Sequence, residues 1–313
     1  MKRIISILFL LLTLSACIDN KQETLVIFHA GSLSLPLKAI ADSFTAENPN
    51  VHIQLEAAGS VECARKITEL NRRADIIASA DYRIINDMLI PQHANWNILF
   101  ASNEMALVFT RKSRFANEIN KDNWFEILQH KSVHHGRSDP NADPCGYRTL
   151  LTLQLAEKYY NKPNIAKNIS EKDRRFIRPK EVDLIALLES GAIDYIFLYR
   201  SVAVQHGLEY LTLPKEMNLG ATSHADFYQN ASVTIRGSSP NDSLTIQGEP
   251  MVYGITIPKN APNKELAEKF IKYFTNRSKG LKTIKSMGMP LVWPMEIHGR
   301  KEMVNLNEAA QTK

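Results

Sequence analysis

Three features of the sequence predict an α/β fold of two lobes, joined by crossing hinge strands, with a ligand cleft between them. The chain opens with a strand–helix–strand–helix–strand alternation. A long apolar stretch, WNILFASNEMALVFT (96–110), is suited to crossing from one lobe into the other, and QGEPMVYGITIP (247–258) to returning. At 313 residues the chain is long enough to build two hydrophobic cores. The first lobe is then residues 24–100 plus 251–313, and the second is residues 101–250.

The elements follow from the pattern of apolar residues. LVIFHA (25–30) is a strand candidate, and in PLKAIADSFTAENP the residues Leu37, Ile40, Ala41 and Phe44 share one helical face. VHIQLEA is a second strand. VECARKITELNRR repeats the helical spacing through Val61, Ala64, Ile67 and Leu70, ahead of the buried strand ADIIASA. This βαβαβ opening calls for a mostly parallel sheet covered by helices. YRIINDML is a short helix. Beyond the crossing stretch, NWFEILQH, GYRTLLTLQLAEKYY and EVDLIALLES are helices, DYIFLYR is a strand, and EYLTLP completes the section. After the return, KELAEKFIKYFTN and GLKTIKSMGM are helices.

The N-terminus has the pattern of an export signal. Lys2 and Arg3 precede IISILFLLLTL, a run short for a membrane span, and Ser15 and Ala16 are small residues at a cleavage point. Residues 1–16 are expected to be a lipoprotein-type signal peptide and residues 17–23 a tether. "LSAC" resembles a bacterial lipobox, which makes Cys17 the lipidated first residue of the mature chain. The expected location is outside the cytoplasm, lipid-anchored to a bacterial membrane on its periplasmic or cell-surface side. The formal charge of +5 is spread thinly, without a basic block, so nucleic acid is not an expected partner. The sequence carries no signal of homo-oligomerisation, and a monomer is expected. Cys63 and Cys145 remain after Cys17, either as a disulfide or as two buried thiols.

Small residues recur where strands hand over to helices. Ala30-Gly31-Ser32 follows the first strand and Ala58-Gly59-Ser60 the second, while Asp143 and Pro144 stand at a helix N-cap and first turn. A helix start carries unpaired N–H groups and a partial positive charge, glycine admits close approach, and serine adds a donor. Converging turns of this kind bind a compact oxyanion without lysine or arginine. As ordinary caps, Ser32 and Ser60 would instead contribute ~1 kcal/mol each to stability. Asp143 sharpens the choice. A carboxylate beside an oxyanion repels it unless the carboxylate is neutral or bonds directly to the central atom. Tungsten and molybdenum can expand their coordination in that way; sulfur cannot.

The segments "FHAGSLSLP", "EAAGSV", "NADPCGYR", "YRSVAVQHGLEYLTLP" and "VYGITIPKNAPN" resemble the molybdate/tungstate-binding proteins of the WtpA/ModA type, from about Thr24 to about residue 295. The resemblance implies a periplasmic-binding-protein fold that closes on its ligand, tungstate or molybdate as that ligand, no cofactor, and delivery to the permease of an ABC importer. It places the oxyanion contacts on Gly31, Ser32, Ser60, Asp143, Pro144 and Cys145. It further implies that Asp143 bonds the metal centre together with a glutamate from the second lobe, expected just before Tyr199-Arg200. That position is Leu198 here, which leaves Glu216 as the remaining carboxylate and predicts weaker discrimination against sulfate.

Other readings stay open at this level. Phosphate or sulfate would suit the same cradle, and Asp143 disfavours sulfate because sulfate has no proton to share. An exported thiol hydrolase would pair Cys145 with His134 or His135. A cation-binding protein would use these histidines and His93, or the tyrosine pair Tyr159-Tyr160, but the spacing matches no regular metal site.

Overall fold

The structure, a computed structural model, describes residues 22–300; the export signal and the Cys17 anchor fall outside the described residues. The first lobe begins with β1 (Glu23–Ala30), α1 (Ser34–Glu47), β2 (Val51–Ala58), α2 (Ser60–Thr68), β3 (Ile76–Ser79), α3 (Tyr82–Met88) and β4 (Trp96–Ser102). The second lobe contains β5 (Met105–Phe109), α4 (Trp124–Gln129), β6 (His135–Ser138), α5 (Pro144–Tyr160), α6 (Ile165–Glu171), β7 (Ile177–Arg178), α7 (Asp183–Glu189), β8 (Tyr195–Tyr199), α8 (Arg200–His206) and β9 (Glu209–Thr212). It ends with α9 (Ala225–Tyr228) and the hairpin β10 (Ser232–Arg236) and β11 (Ser243–Gln247). The chain then returns to the first lobe through β12 (Val252–Thr256), α10 (Lys264–Phe274), α11 (Gly280–Ser286) and β13 (Leu291–Gly299).

Two mixed sheets organise these elements. The first has the order β13-β4-β12-β3-β1-β2, the second β7-β6-β8-β5-β9. β1 runs parallel to β2 and β3, whereas β12, β4 and β13 are successively antiparallel. In β1 both Ile27 and Phe28 are fully buried, as expected for a strand covered by helices on both faces. Phe44 of α1 meets Phe270 of α10 edge to face at 5.2 Å, closing one of those layers.

The crossing stretch is two strands rather than one. It breaks at Asn103 and Glu104, and Asn103 holds the break in place. Its amide donates to Ser201 Oγ (2.7 Å) and Tyr253 Oη (3.1 Å), and its carbonyl accepts from the Glu104 N–H (3.0 Å). One side chain therefore pins β4, β12 and the start of α8 at the hinge.

The sequence pattern misses β6, α6, β7, α8, α9, the β10–β11 hairpin and β13. α6 is a short helix in a largely polar segment, with Ile165 and Ile169 buried, and α8 is a seven-residue helix between β8 and β9. The β10–β11 hairpin is half-exposed, with threonines along its outer face. β13 carries Pro294 and a shifted register against β4, which makes it an edge strand with a weak signal. One helix boundary bears on the cleft. α7 begins at Asp183, so Glu181 lies in the turn before it and not inside the helix.

Candidate functional site

The carboxyl ends of the parallel strands of both sheets face a common point. β1 delivers Gly31 and Ser32, β2 delivers Ser60, and β3 delivers Asp81. From the other lobe, β6 leads to Ser138 and Asp143, β7 to Glu181, and β8 to Tyr199. Ligands in open α/β sheets sit at such strand ends. The lobes touch there: a Cβ on Gly59 would fall 2.2 Å from the Ala142 carbonyl oxygen, and the Glu62 N–H donates to that oxygen at 3.1 Å. Only glycine lets the two backbones approach so closely. Ser32 is 1% exposed and Ser60, Asp143 and Glu181 are 0% exposed, so a guest enters only when the lobes part.

Both serines are set up as donors. Ser32 Oγ accepts from Tyr253 Oη (3.0 Å), and Ser60 Oγ accepts from the Ala80 N–H (2.9 Å). With one lone pair taken on each, their own O–H bonds are directed elsewhere. Ser138 adds a third hydroxyl, buried beside Asp143 and the Cys145 thiol and without a well-formed hydrogen bond among the described residues.

Opposite these donors stand two carboxyl groups. Asp143 caps α5, with Oδ1 accepting from the Cys145 N–H (3.4 Å), and its Oδ2 accepts from the Glu181 N–H (3.1 Å). Glu181 lies against Gly31, and neither of its buried oxygens has a well-formed hydrogen bond among the described residues. Burial raises the Asp143 carboxyl above the ordinary carboxylate range. Burial, and then the neighbouring Asp143 charge, push Glu181 well above it. Two carboxylates this close cannot both stay ionised in a dry site, so the pair holds one proton between them. Among the described residues, no lysine or arginine pairs with either of them. Arg148, the buried cation nearby, is already engaged with Asp81 at 3.0 Å.

These positions correct part of the sequence expectation. Gly31, Ser32, Ser60 and Asp143 are brought together, with Pro144 opening α5 behind them. Leu198 and Glu216 are not part of the group. Leu198 sits in β8 opposite Ala106 of β5, buried in the second core, so a carboxylate there would displace core packing. Glu216 lies after β9, where its charge acts on the Tyr160 and Tyr228 phenols, while Asp143 and Glu181 are perturbed chiefly by burial and by each other. Glu181 is the carboxyl group that the fold places beside Asp143. Its only trace in the sequence is an acidic residue close to a helix start, the pattern of an ordinary first-turn acid.

The thiol arrangement does not resemble a nucleophile and its base. The Cys145 thiol donates to the Phe197 carbonyl at 3.5 Å, and burial holds its pKa well above the ordinary thiol value. His134 pairs with Asp173 at 2.9 Å, and the buried His135 ring has no hydrogen-bond partner among the described residues. Cys63 is also a free thiol, donating to the His29 carbonyl at 3.6 Å, with its pKa pushed up to about 12 by burial. The tyrosine pair serves packing: the Tyr159 and Tyr160 rings meet edge to face at 4.9 Å, and Tyr160 Oη accepts from Trp124 Nε1 at 3.2 Å.

Comparison with known proteins agrees with this architecture. Residues 25–289 match the family model described as bacterial extracellular solute-binding protein. An uncharacterised solute-binding protein of Petrotoga mobilis is 46% identical over 304 residues, 97% of this chain and 92% of its own. The molybdate/tungstate-binding protein WtpA of Pyrococcus abyssi is 46% identical over 281 residues, covering 81% of this chain and 80% of its own. Among solved structures, the periplasmic molybdate-binding protein of Azotobacter vinelandii superposes with a TM-score of 0.61 at 16% identity, across 86% of this chain and 99% of the other.

Proposed function

Since the chain belongs to the bacterial extracellular solute-binding protein family, we propose that it captures tungstate or molybdate outside the cytoplasm and delivers it to the permease of an ABC importer. The observation that carries the choice of ligand is the buried pair Asp143 and Glu181 set against Gly31 and Ser32. The hydroxyls of Ser32, Ser60 and Ser138 and the backbone N–H of Ser32 suit the oxo groups of a tetrahedral dianion. Tyr199, its phenol kept protonated by burial, is a further donor on the wall of the second lobe. A tetrahedral dianion that only accepts hydrogen bonds would be repelled by the ionised member of the carboxyl pair. A tungsten or molybdenum centre turns the pair into ligands, because it can accept carboxylate oxygens in addition to its own oxo groups.

Sulfate has neither a proton for the ionised carboxylate nor a centre that expands, so the site disfavours it. Phosphate is the reading to test against, since its protons can bond to carboxylates. Calorimetric titration with tungstate, molybdate, phosphate and sulfate, joined to X-ray absorption of the loaded protein, decides between them. Binding of tungstate and molybdate with more than four oxygens around the metal supports the proposal. A preference for phosphate, or a strictly four-oxygen centre, overturns it. Anchoring through a lipid on Cys17 is part of the same proposal; radiolabelled palmitate incorporated by the native chain and lost in Cys17→Ser checks it.

A further inference from the structure

Asp81, at the start of α3 in the first lobe, reaches across the cleft to two consecutive residues of α5 in the second. Its Oδ2 accepts from Tyr147 Oη at 2.6 Å and pairs with Arg148 Nη2 at 3.0 Å. Its Oδ1 has a separate task, capping α3 by accepting from the Arg83 N–H at 2.9 Å. Asp81 and Arg148 are each 3% exposed and Tyr147 is fully buried. Arg148 Nη1 continues the connection, donating to the Ala80 carbonyl at 2.7 Å and to Tyr199 Oη at 3.1 Å. The Ala80 N–H is the group that holds Ser60 Oγ at 2.9 Å. A single guanidinium thus connects a donor on each wall of the site, Ser60 on one lobe and Tyr199 on the other.

We propose that Asp81, Tyr147 and Arg148 form a closure latch, made only when the lobes shut, that aligns Ser60 and Tyr199 on the bound oxyanion. They are positioning residues, and the inference rests on the oxyanion function proposed for the site. The physical case lies in the desolvation. Because the site is sealed, loading requires the lobes to part, which separates Asp81 from α5 and returns both charges to water. Closing buries them again, and a buried charge is tolerated only with its partner in place. Removing one partner therefore penalises the closed state and leaves the open state almost untouched. Asp81→Asn keeps a side-chain oxygen to cap α3 while stripping the charge from Arg148.

Wild type, Asp81→Asn, Tyr147→Phe, Arg148→Met and the Asp81→Asn/Arg148→Met double variant would be titrated with tungstate and followed by small-angle scattering. Asp81→Asn is expected to bind on the order of 100-fold more weakly, through faster release, and to contract incompletely on loading. Tyr147→Phe is expected to lose about tenfold. The double variant is expected to bind more tightly than Arg148→Met and Asp81→Asn losses multiplied together would allow, since no unpaired charge remains. Asp81→Asn binding within threefold of wild type, with full contraction, overturns the latch. Should Asp81→Asn fail to fold, wild-type affinity in Tyr147→Phe overturns it instead. A wild type indifferent to tungstate and molybdate overturns the ligand reading alone; the latch is then read on whichever of phosphate or sulfate contracts the wild-type protein, with the same two outcomes.

Discussion

The carboxyl group of Glu181 lies directly over Gly31: a Cβ added to Gly31 would stand 2.9 Å from Glu181 Oε2 and 3.1 Å from Oε1. The contact joins the end of β1 in one lobe to the exit of β7 in the other, and it fixes what the small residue is for. Gly31→Ala puts a methyl group against the Glu181 carboxyl and 3.1 Å from Val182 Cγ2. The far end of a glutamate can swing aside, so the fold should survive with a melting temperature near that of the native protein. The methyl nonetheless occupies space meant for the oxyanion. Binding of tungstate is expected to weaken by roughly 1–3 kcal/mol, the range of overpacking a filled site, and calorimetry of the variant checks it.

Glu181→Gln tests the carboxylate pair itself. The variant keeps the shape of the side chain and removes an ionisable group and an oxygen able to bond a metal. Tungstate should no longer raise the melting temperature as it does in the native chain, where a tight ligand at a thousandfold excess over its Kd adds about 4 kcal/mol. Selectivity should change along with affinity. Losing an oxygen that bonds the metal costs tungstate and leaves sulfate, which cannot bond it, unaffected, so the tungstate-to-sulfate ratio is expected to collapse. Asp143→Asn should act in the same direction and lose well beyond the ~1 kcal/mol of a helix cap. A Glu181→Gln variant that keeps the native selectivity would place the second metal ligand elsewhere.

The parts of this site that the sequence displays are those with local signatures. Ser32 and Ser60 follow glycines at strand ends, and Asp143 precedes a proline at a helix start; each pattern has a physical reason within a few residues. Glu181 has none of that. In "RPKEVDLIALL" it looks like an acidic residue in the first turn of a helix, where the dipole favours one. Its role comes from meeting Gly31 across the cleft, which no local pattern encodes. Leu198 shows the converse. The family resemblance implies a carboxylate just before Tyr199, and in the fold that position is a fully buried leucine of β8 paired with Ala106. Asp81 likewise looks like a plain cap until α5 is packed against it. In the fold, the βαβαβ opening was legible because its apolar residues keep period, whereas β13 and the β10–β11 hairpin alternate polar residues along exposed edges.

The hinge supplies a pH-dependent term. Glu249, in the link between β11 and β12, is raised from 4.5 to about 7 by burial and then by the Asp81 charge, with Arg83 and the Tyr82 hydroxyl acting against them. Tyr82 Oη donates to it at 3.2 Å, Arg83 Nε stands 3.9 Å away, and Arg148 opposes the rise more weakly. A carboxyl raised in the folded state binds more protons there than in the unfolded chain. Its contribution is therefore complete below pH 4.5 and is lost as pH climbs through the interval to about 7. Glu249→Gln fixes the neutral form and should remove that loss. Its melting temperature is expected to match the native value at pH 4.5 and to exceed it by a few degrees at pH 8, with the difference opening between those limits. The side chain is 34% exposed, so solvent screening keeps the effect modest. Thermal denaturation at half-unit pH steps checks the sign: a variant that is less stable than the native chain at pH 8 would mean that the charged form of Glu249, held by Arg83, is what the hinge uses.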